Sequence, residues 1–175
     1  MRNAKSAIFL AGFVAMLPPA VADEATPPAE VIASRQALMM AMETLMQPID
    51  TYTVDRAGID TGVMRANAEA IQAMLLVTPQ LFPDSTNLYD AKADLPATLA
   101  MPEIWKNFAA FRGFATAASG AAASVVESAD GGALVEASVG LRAACDACHA
   151  VNLLPYEAPS FDSDSDFDFD ALFDN

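Results

Sequence analysis

Apolar side chains recur at intervals of three and four residues along most of this chain, which is the spacing of one face of an α-helix. The first such stretch runs from about Ala29 to Met46 or slightly beyond. Pro48 and the segment 51–53 predict its end. Its inward seam has the alternating spacing of a bundle helix. The seam consists of Ile32, Arg35, Met39, Met42, Met46 and Ile49.

Three more helices are predicted downstream. The second begins at Asp60 or Thr61, both good helix caps, and ends before Pro79. After a long connection, the third keeps helical spacing over 102–125, and the fourth covers about 133–152. Four helices joined by one long and two shorter connections predict an all-α fold, an antiparallel four-helix bundle.

The two ends of the chain differ in composition from the helical part. Residues 1–22 combine a basic start with an apolar run and finish in Ala20-Val21-Ala22, an A-x-A cleavage site. This pattern predicts a cleaved signal peptide, and therefore a periplasmic protein with no membrane anchor in its mature form. Residues 157–175 hold seven acidic residues and no basic one, which predicts a disordered tail. We expect 23–156 to form the bundle domain.

The mature chain is strongly acidic. Without residues 1–22 it has seven basic and 23 acidic residues, a net charge of −16. This charge argues against nucleic-acid binding and favours a partner protein with a basic docking surface. The acidic tail is either a solubilising segment or a docking segment for such a partner.

The segment Cys145-Asp146-Ala147-Cys148-His149 has the C-x-x-C-H pattern of covalent haem c attachment. The thiols of Cys145 and Cys148 would each form a thioether to the porphyrin, and His149 would be the proximal ligand of the iron. A thioredoxin-type motif would need a βαβ context, for which no strand pattern is present. A structural zinc site needs four ligands, and the chain has only two cysteines and one histidine.

Residues 29–152 resemble the cytochrome c prime family and its low-spin relatives. Besides the haem motif, the resemblance is carried by the segments 35–39 (RQALM), 81–83 (LFP) and 102–105 (PEIW). It implies an antiparallel bundle, often a homodimer through the first two helices. In one type of this family an apolar side chain covers an open iron face, and in the other a methionine binds the iron. Met39 stands at that position, so the resemblance implies the low-spin, methionine-ligated type.

The residues themselves support this assignment in part. With His149 used, no second histidine remains, and a thioether is the usual alternative ligand in electron-transfer haems. Met39, Met42 and Met46 share the inward face, where methionine is also an ordinary core filler. We expect Met39 to bind the iron on its distal side and Met42 and Met46 to be filler.

Two further residues near Met39 are candidates for the haem pocket. Arg35 lies one turn earlier on the same seam, where its charge needs a partner; a haem propionate would suit it, unless the side chain extends to the bundle edge. Gln36 is expected to line the same region. The family usually has an aromatic and then a basic residue three and four positions after the haem histidine, but here these positions are Asn152 and Leu153.

The sequence therefore predicts a periplasmic one-electron carrier with a single haem c and histidine–methionine ligation, which itself catalyses no reaction. The alternative is a five-coordinate cytochrome c prime that binds or buffers nitric oxide or carbon monoxide. A peroxidase is disfavoured because no distal histidine is available as an acid–base group.

Overall fold

The computed structural model describes residues 26–93 and 97–154. The predicted signal peptide (1–22) and acidic tail (157–175) lie outside the described residues and stay predictions. The described part contains α1 (Pro28–Val54), α2 (Thr61–Val77), a short α3 (Glu103–Lys106), α4 (Phe108–Glu127) and α5 (Gly132–Asn152).

The four long helices form the predicted antiparallel four-helix bundle. In the described ranges α1 packs against α2 and α5, and α4 packs against the other side of both α2 and α5. The connection between α2 and α3 contains two 3₁₀ turns, Thr78–Leu81 and Asp84–Thr86. One isolated antiparallel bridge joins Ala100 in this connection to Leu153 at the end of α5.

The prediction that Pro48 and the segment 51–53 end α1 is wrong, because the helix continues to Val54. Proline removes one backbone donor from a helix interior, at a cost of about 3 kcal/mol. Burial beyond the proline offsets that cost: Ile49 is completely buried and Tyr52 is 5% exposed. Each such side chain contributes about 1.5–3 kcal/mol. The apolar seam, which already included Ile49, was the better guide to the length of this helix.

The predicted third helix is divided in two at Asn107, whose backbone lies outside the helical region at φ −138° and ψ 64°. The Asn107 side-chain oxygen accepts a hydrogen bond from the Ala110 amide at 3.2 Å and so caps α4. The preceding α3 is fixed separately, because the Trp105 indole donates to the carbonyl of Phe82 at 3.1 Å. The break lets α3 close one end of the bundle.

The other helix boundaries follow the sequence signals. The Asp60 carboxylate caps α2 by accepting hydrogen bonds from the amides of Gly62 at 2.8 Å and Val63 at 3.3 Å. Gly131 takes φ 85° immediately before α5, a conformation that favours glycine. In the described residues no helix is long and apolar enough to cross a membrane.

Two buried clusters hold the fold together. The larger one fills the bundle between α1, α2, α4 and α5, and includes Met46, Met64 and Ile71. The smaller one lies at the end of the bundle that α3 closes. It consists of Phe82, Ala100, Ile104 and Phe111, with Leu81, Trp105, Phe108 and Cys148 packed against it. One residue of the C-x-x-C-H motif thus contacts the second cluster.

Candidate haem site

Two adjoining cavities open at the end of the bundle where the C-x-x-C-H motif lies. They enclose about 590 and 990 Å³ of empty space, including the space open to solvent at their mouths. The two cavities share part of their walls. The shared residues are Met39, Phe111, Cys148 and His149.

The last turns of α5 bring the predicted attachment residues together. Cys145 lines the first cavity, and Cys148 and His149 line both. The two cysteines are half-buried free thiols. Burial raises the pKa of the Cys145 thiol, and burial also raises the pKa of Cys148, although a hydrogen bond from Asn152 acts in the opposite direction. The histidine is more exposed, as the last turn of a surface helix allows.

Asn152 has a role that the sequence analysis missed, because there it counted only as a missing aromatic residue. It is buried, and its amide nitrogen donates to the Cys148 carbonyl at 2.9 Å. Its own carbonyl accepts from the Met101 amide at 2.9 Å. The neighbouring Leu153 forms the backbone bridge with Ala100. Asn152 therefore joins the haem motif, which its side chain contacts, to the long connection, which its backbone carbonyl contacts.

Met39 lies in the wall of both cavities, as does His149. The structure thus brings together the two residues predicted as axial ligands, one from α1 and one from α5. Met42 and Met46 line the first cavity as well, but they belong to the buried core cluster. This is the position expected for core filler.

Arg35 is a buried cation, with only 4% of its surface exposed. Burial lowers the pKa of its guanidinium, so the interpretation that it extends to the bundle edge is not supported. Nη1 donates to the Thr86 hydroxyl at 3.1 Å, Nη2 donates to the Thr98 hydroxyl, and the guanidinium carbon lies 4.6 Å from the centre of the Phe82 ring. In the ranges described, no carboxylate forms an ion pair with it.

The arginine and its surroundings form one side of the second cavity. Thr98 and Phe82 line this cavity together with Arg35, and Gln36 is an exposed residue of the same wall. The sequence predicted that Arg35 lies on the seam and that its charge needs a partner. No motif identified Thr86 or Thr98 as its hydrogen-bond partners. Both threonines come from the long connection, where spacing carries no information about contacts across the bundle.

Glu43 is a second residue that the sequence analysis missed. It lies one turn after Met39 on α1 and lines the first cavity. Apolar side chains make up most of the remaining wall. They are Met42, Met46, Ile71, Leu75, Phe111, Phe114, Ala115 and Ala118. Among the described residues, no group of three or more histidine, cysteine or acidic side chains forms a metal site by itself.

These features fit a haem c. Two free thiols and an imidazole occur on one wall, where a covalently held porphyrin needs them. The walls are apolar, as suits a flat hydrophobic ring. At one side a buried guanidinium has hydroxyl partners but no carboxylate among the residues that the structure describes, as expected for a residue that binds an acidic group of the ligand.

Comparisons with known proteins agree with this arrangement. The sequence model of the family described as Cytochrome C' matches residues 30–151. A comparison with curated protein sequences finds no match. Among solved structures, cytochrome c prime from Rhodopseudomonas palustris is 26% identical, with a TM-score of 0.62 over 73% of this chain and 98% of that one.

Two other solved structures show the same fold. The nitric oxide complex of a mutant cytochrome c prime from Alcaligenes xylosoxidans is 23% identical, with a TM-score of 0.62 over 75% of this chain and 100% of that one. A cytochrome c prime with an unusual ligand-controlled dimer dissociation is 26% identical, with a TM-score of 0.62 over 73% of this chain and 97% of that one. The family match covers most of the chain, including the haem motif, and the chain therefore belongs to the cytochrome c prime family, whose members carry one covalently attached haem c.

Proposed function

We propose that this chain is a haem c protein that binds a small neutral gas, nitric oxide or carbon monoxide, on the distal side of its haem. The observation that carries the proposal is the first cavity, where Met39 and His149 occur in a wall that is otherwise mostly apolar. Such a wall accepts an uncharged diatomic molecule and offers little to a polar one. The nitric oxide complex of a protein with this fold makes the same ligand class a reasonable candidate.

The chain's own residues would hold the haem as follows. Cys145 and Cys148 form the two thioethers, and His149 is the proximal ligand. Arg35 pairs with a propionate, with Gln36 beside it in the wall of the second cavity. When bound, the haem would supply an iron that is reversibly reduced by one electron and that offers a coordination site on its distal side.

A second candidate function is one-electron transfer with Met39 as the sixth ligand. The position of Met39 in the same cavities as the only histidine of the chain favours it. A thioether ligand fills the distal site and raises the reduction potential. The two functions differ in whether the Met39 sulfur binds the iron or only covers it.

We also propose that the protein catalyses no reaction of its own. Glu43 is the one carboxylate in the described wall of the first cavity. Both of its oxygens accept hydrogen bonds from Arg142, at 3.1 and 3.2 Å. A carboxylate held in this way is a counter-ion and is poorly placed to act as the distal base that a peroxidase needs.

The cellular setting is part of the proposal. A cleaved signal peptide would deliver the chain to the periplasm, where haem c attachment takes place, and the acidic surface would favour a basic redox partner. A homodimer through α1 and α2 is supported by exposed apolar side chains on these helices, including Met40, Val63 and Leu76. One protein with this fold has a ligand-controlled dimer dissociation. Sedimentation of this chain with and without carbon monoxide would therefore measure whether it dimerises and whether a ligand changes its oligomeric state.

Optical spectra of the purified ferric and ferrous protein test the proposal. A high-spin ferric spectrum and a ferrous protein that takes up carbon monoxide support gas binding. A low-spin ferric spectrum that becomes high-spin in Met39→Leu supports electron transfer. Met64→Leu is the matched control, because it removes a buried thioether that lines neither cavity.

Acid–acetone extraction tests the attachment itself. Haem should stay on the wild-type polypeptide, and Cys145→Ala or Cys148→Ala should mature poorly, because each variant loses one thioether. Haem that extracts freely from the wild type would contradict both candidate functions.

A further inference from the structure

Arg142 on α5 forms a bidentate ion pair with each of two carboxylates on α1. Its Nη1 and Nη2 donate to Glu43 at 3.1 and 3.2 Å. Its Nε donates to Asp50 at 3.2 Å, and Nη2 also donates to the second Asp50 oxygen. The hydrogen bonds to Asp50 and then to Glu43 raise the pKa of Arg142 above its ordinary value. We call these three residues the α1–α5 clamp.

The clamp lies next to the candidate haem site. Glu43 follows Met39 by one turn on α1, and Arg142 precedes Cys145 by one turn on α5. Glu43 also shares the wall of the first cavity with Met39 and Cys145. The clamp therefore connects the helix that carries the distal methionine to the helix that carries the attachment cysteines and the histidine.

The geometry distinguishes the clamp from an ordinary surface ion pair. Isolated exposed pairs contribute little, but bidentate arginine pairs and networks are the exception. In the described ranges the other ion pairs are Arg65 with Asp130 and Lys106 with Glu103, and neither joins α1 to α5. The α1 helix also packs less extensively on its neighbours than α4 does. Its position relative to α5 thus depends more strongly on the clamp.

We propose that Arg142 is a positioning residue for Met39: by holding α1 against α5, the clamp determines how closely the Met39 side chain covers the distal side of the haem. The inference rests on the proposed placement of the haem between Met39 and His149. When the clamp is broken, α1 moves away from α5 more readily, and the distal side is uncovered for a larger fraction of the time. A small gas molecule then reaches the iron faster.

Carbon monoxide association with the ferrous protein, measured by flash photolysis, tests the proposal. We expect Arg142→Met to bind carbon monoxide roughly 3- to 5-fold faster than the wild type, the upper part of the range for partly exposed ion pairs. Arg142→Lys keeps the charge but loses the bidentate geometry and should fall in between. The high-spin fraction of the ferric protein should rise in the same order if Met39 is a ligand.

Arg65→Met is the matched control. Arg65 is also a partly buried arginine with a short ion pair, to Asp130 at 2.6 Å, but it contacts neither cavity. This variant loses a comparable ion pair, yet its rate of carbon monoxide association should stay within about twofold of the wild-type rate. If Arg142→Met does not fold, Glu43→Gln and Asp50→Asn each remove half of the clamp and should each give a smaller acceleration.

A double variant shows whether the effect passes through Met39. Met39→Ala removes the covering side chain, so adding Arg142→Met to it should give no further acceleration. If the two substitutions accelerate carbon monoxide association independently, so that their effects multiply, the proposal is overturned. It is also overturned if Arg142→Met binds carbon monoxide at the wild-type rate. Failure of the proposed function would look different, because the wild-type protein would then carry no covalent haem or would form no carbon monoxide adduct even when Met39 is replaced.

Discussion

Replacing Arg35 with methionine tests whether the buried guanidinium is the counter-ion of a haem propionate. The side chain is 4% exposed, and an ion removed from water at such a site costs several kcal/mol. Two hydrogen bonds to threonine hydroxyls offset about 1.5–3 kcal/mol each. The Phe82 ring, 4.6 Å from the guanidinium carbon, offsets about 1 kcal/mol more.

These contributions nearly cancel. From the contacts within the chain alone, Arg35→Met should therefore change the free energy of unfolding by less than about 1 kcal/mol. A propionate adds a charge-assisted pair, and its loss in the variant should cost about 2–3 kcal/mol. At about 3 °C per kcal/mol for a domain of this size, the Tm should fall by roughly 6–9 °C.

Thermal unfolding of the haem-loaded proteins, followed by circular dichroism, provides the measurement, with Arg65→Met as the control for loss of an arginine. The reduction potential is the second measurement. Removal of a cation near the haem disfavours the added electron, so the potential should fall in Arg35→Met and stay constant in Arg65→Met. A Tm within about 2 °C of the wild type together with an unchanged potential would refute the pairing with a propionate.

Three further predictions concern the helices and the tail. Pro48→Ala should raise the free energy of unfolding in urea by about 1–3 kcal/mol, because it restores a donor inside α1. Asp60→Ala should lower it by about 1–2 kcal/mol, because α2 loses the cap for two amides. Deletion of 157–175, with its seven acidic residues, should slow electron transfer to a basic partner at low salt but not at high salt. An altered haem spectrum in that truncated protein would instead mean that the tail packs on the bundle.

Periodic patterns and local caps predicted most of the fold. The helical spacing identified the four long helices, and Asp60 marked the start of α2 because a cap acts within one turn. In the two errors, packing between distant segments overrode the sequence signal. Pro48 was taken as a local stop signal, whereas burial of Ile49 carries α1 past the proline. The third helix was predicted from apolar spacing across Asn107, whereas packing of Trp105 on Phe82 separates α3 from α4.

The candidate site was predictable where its chemistry is local. Cys145, Cys148 and His149 form one contiguous motif, and Met39 was reached through the spacing of α1 and the family resemblance. Thr86, Thr98 and Glu43 were not found, because they act through contacts between distant segments. Thr86 and Thr98 lie 51 and 63 residues after Arg35, and no periodic signal in the sequence connects such positions.

The choice between gas binding and electron transfer depends on the same kind of distant contact. In the proposed placement, the motif on α5 would fix the proximal side of the haem, and the residues that cover the distal side would come from α1. Whether the Met39 sulfur reaches the iron would therefore depend on the separation of α1 and α5. No single sequence motif encodes that separation. Arg142, 99 residues after Glu43, is one of the contacts that set this separation. On this proposal, substitutions in the α1–α5 clamp of this chain would alter access to the iron while the haem motif stays unchanged.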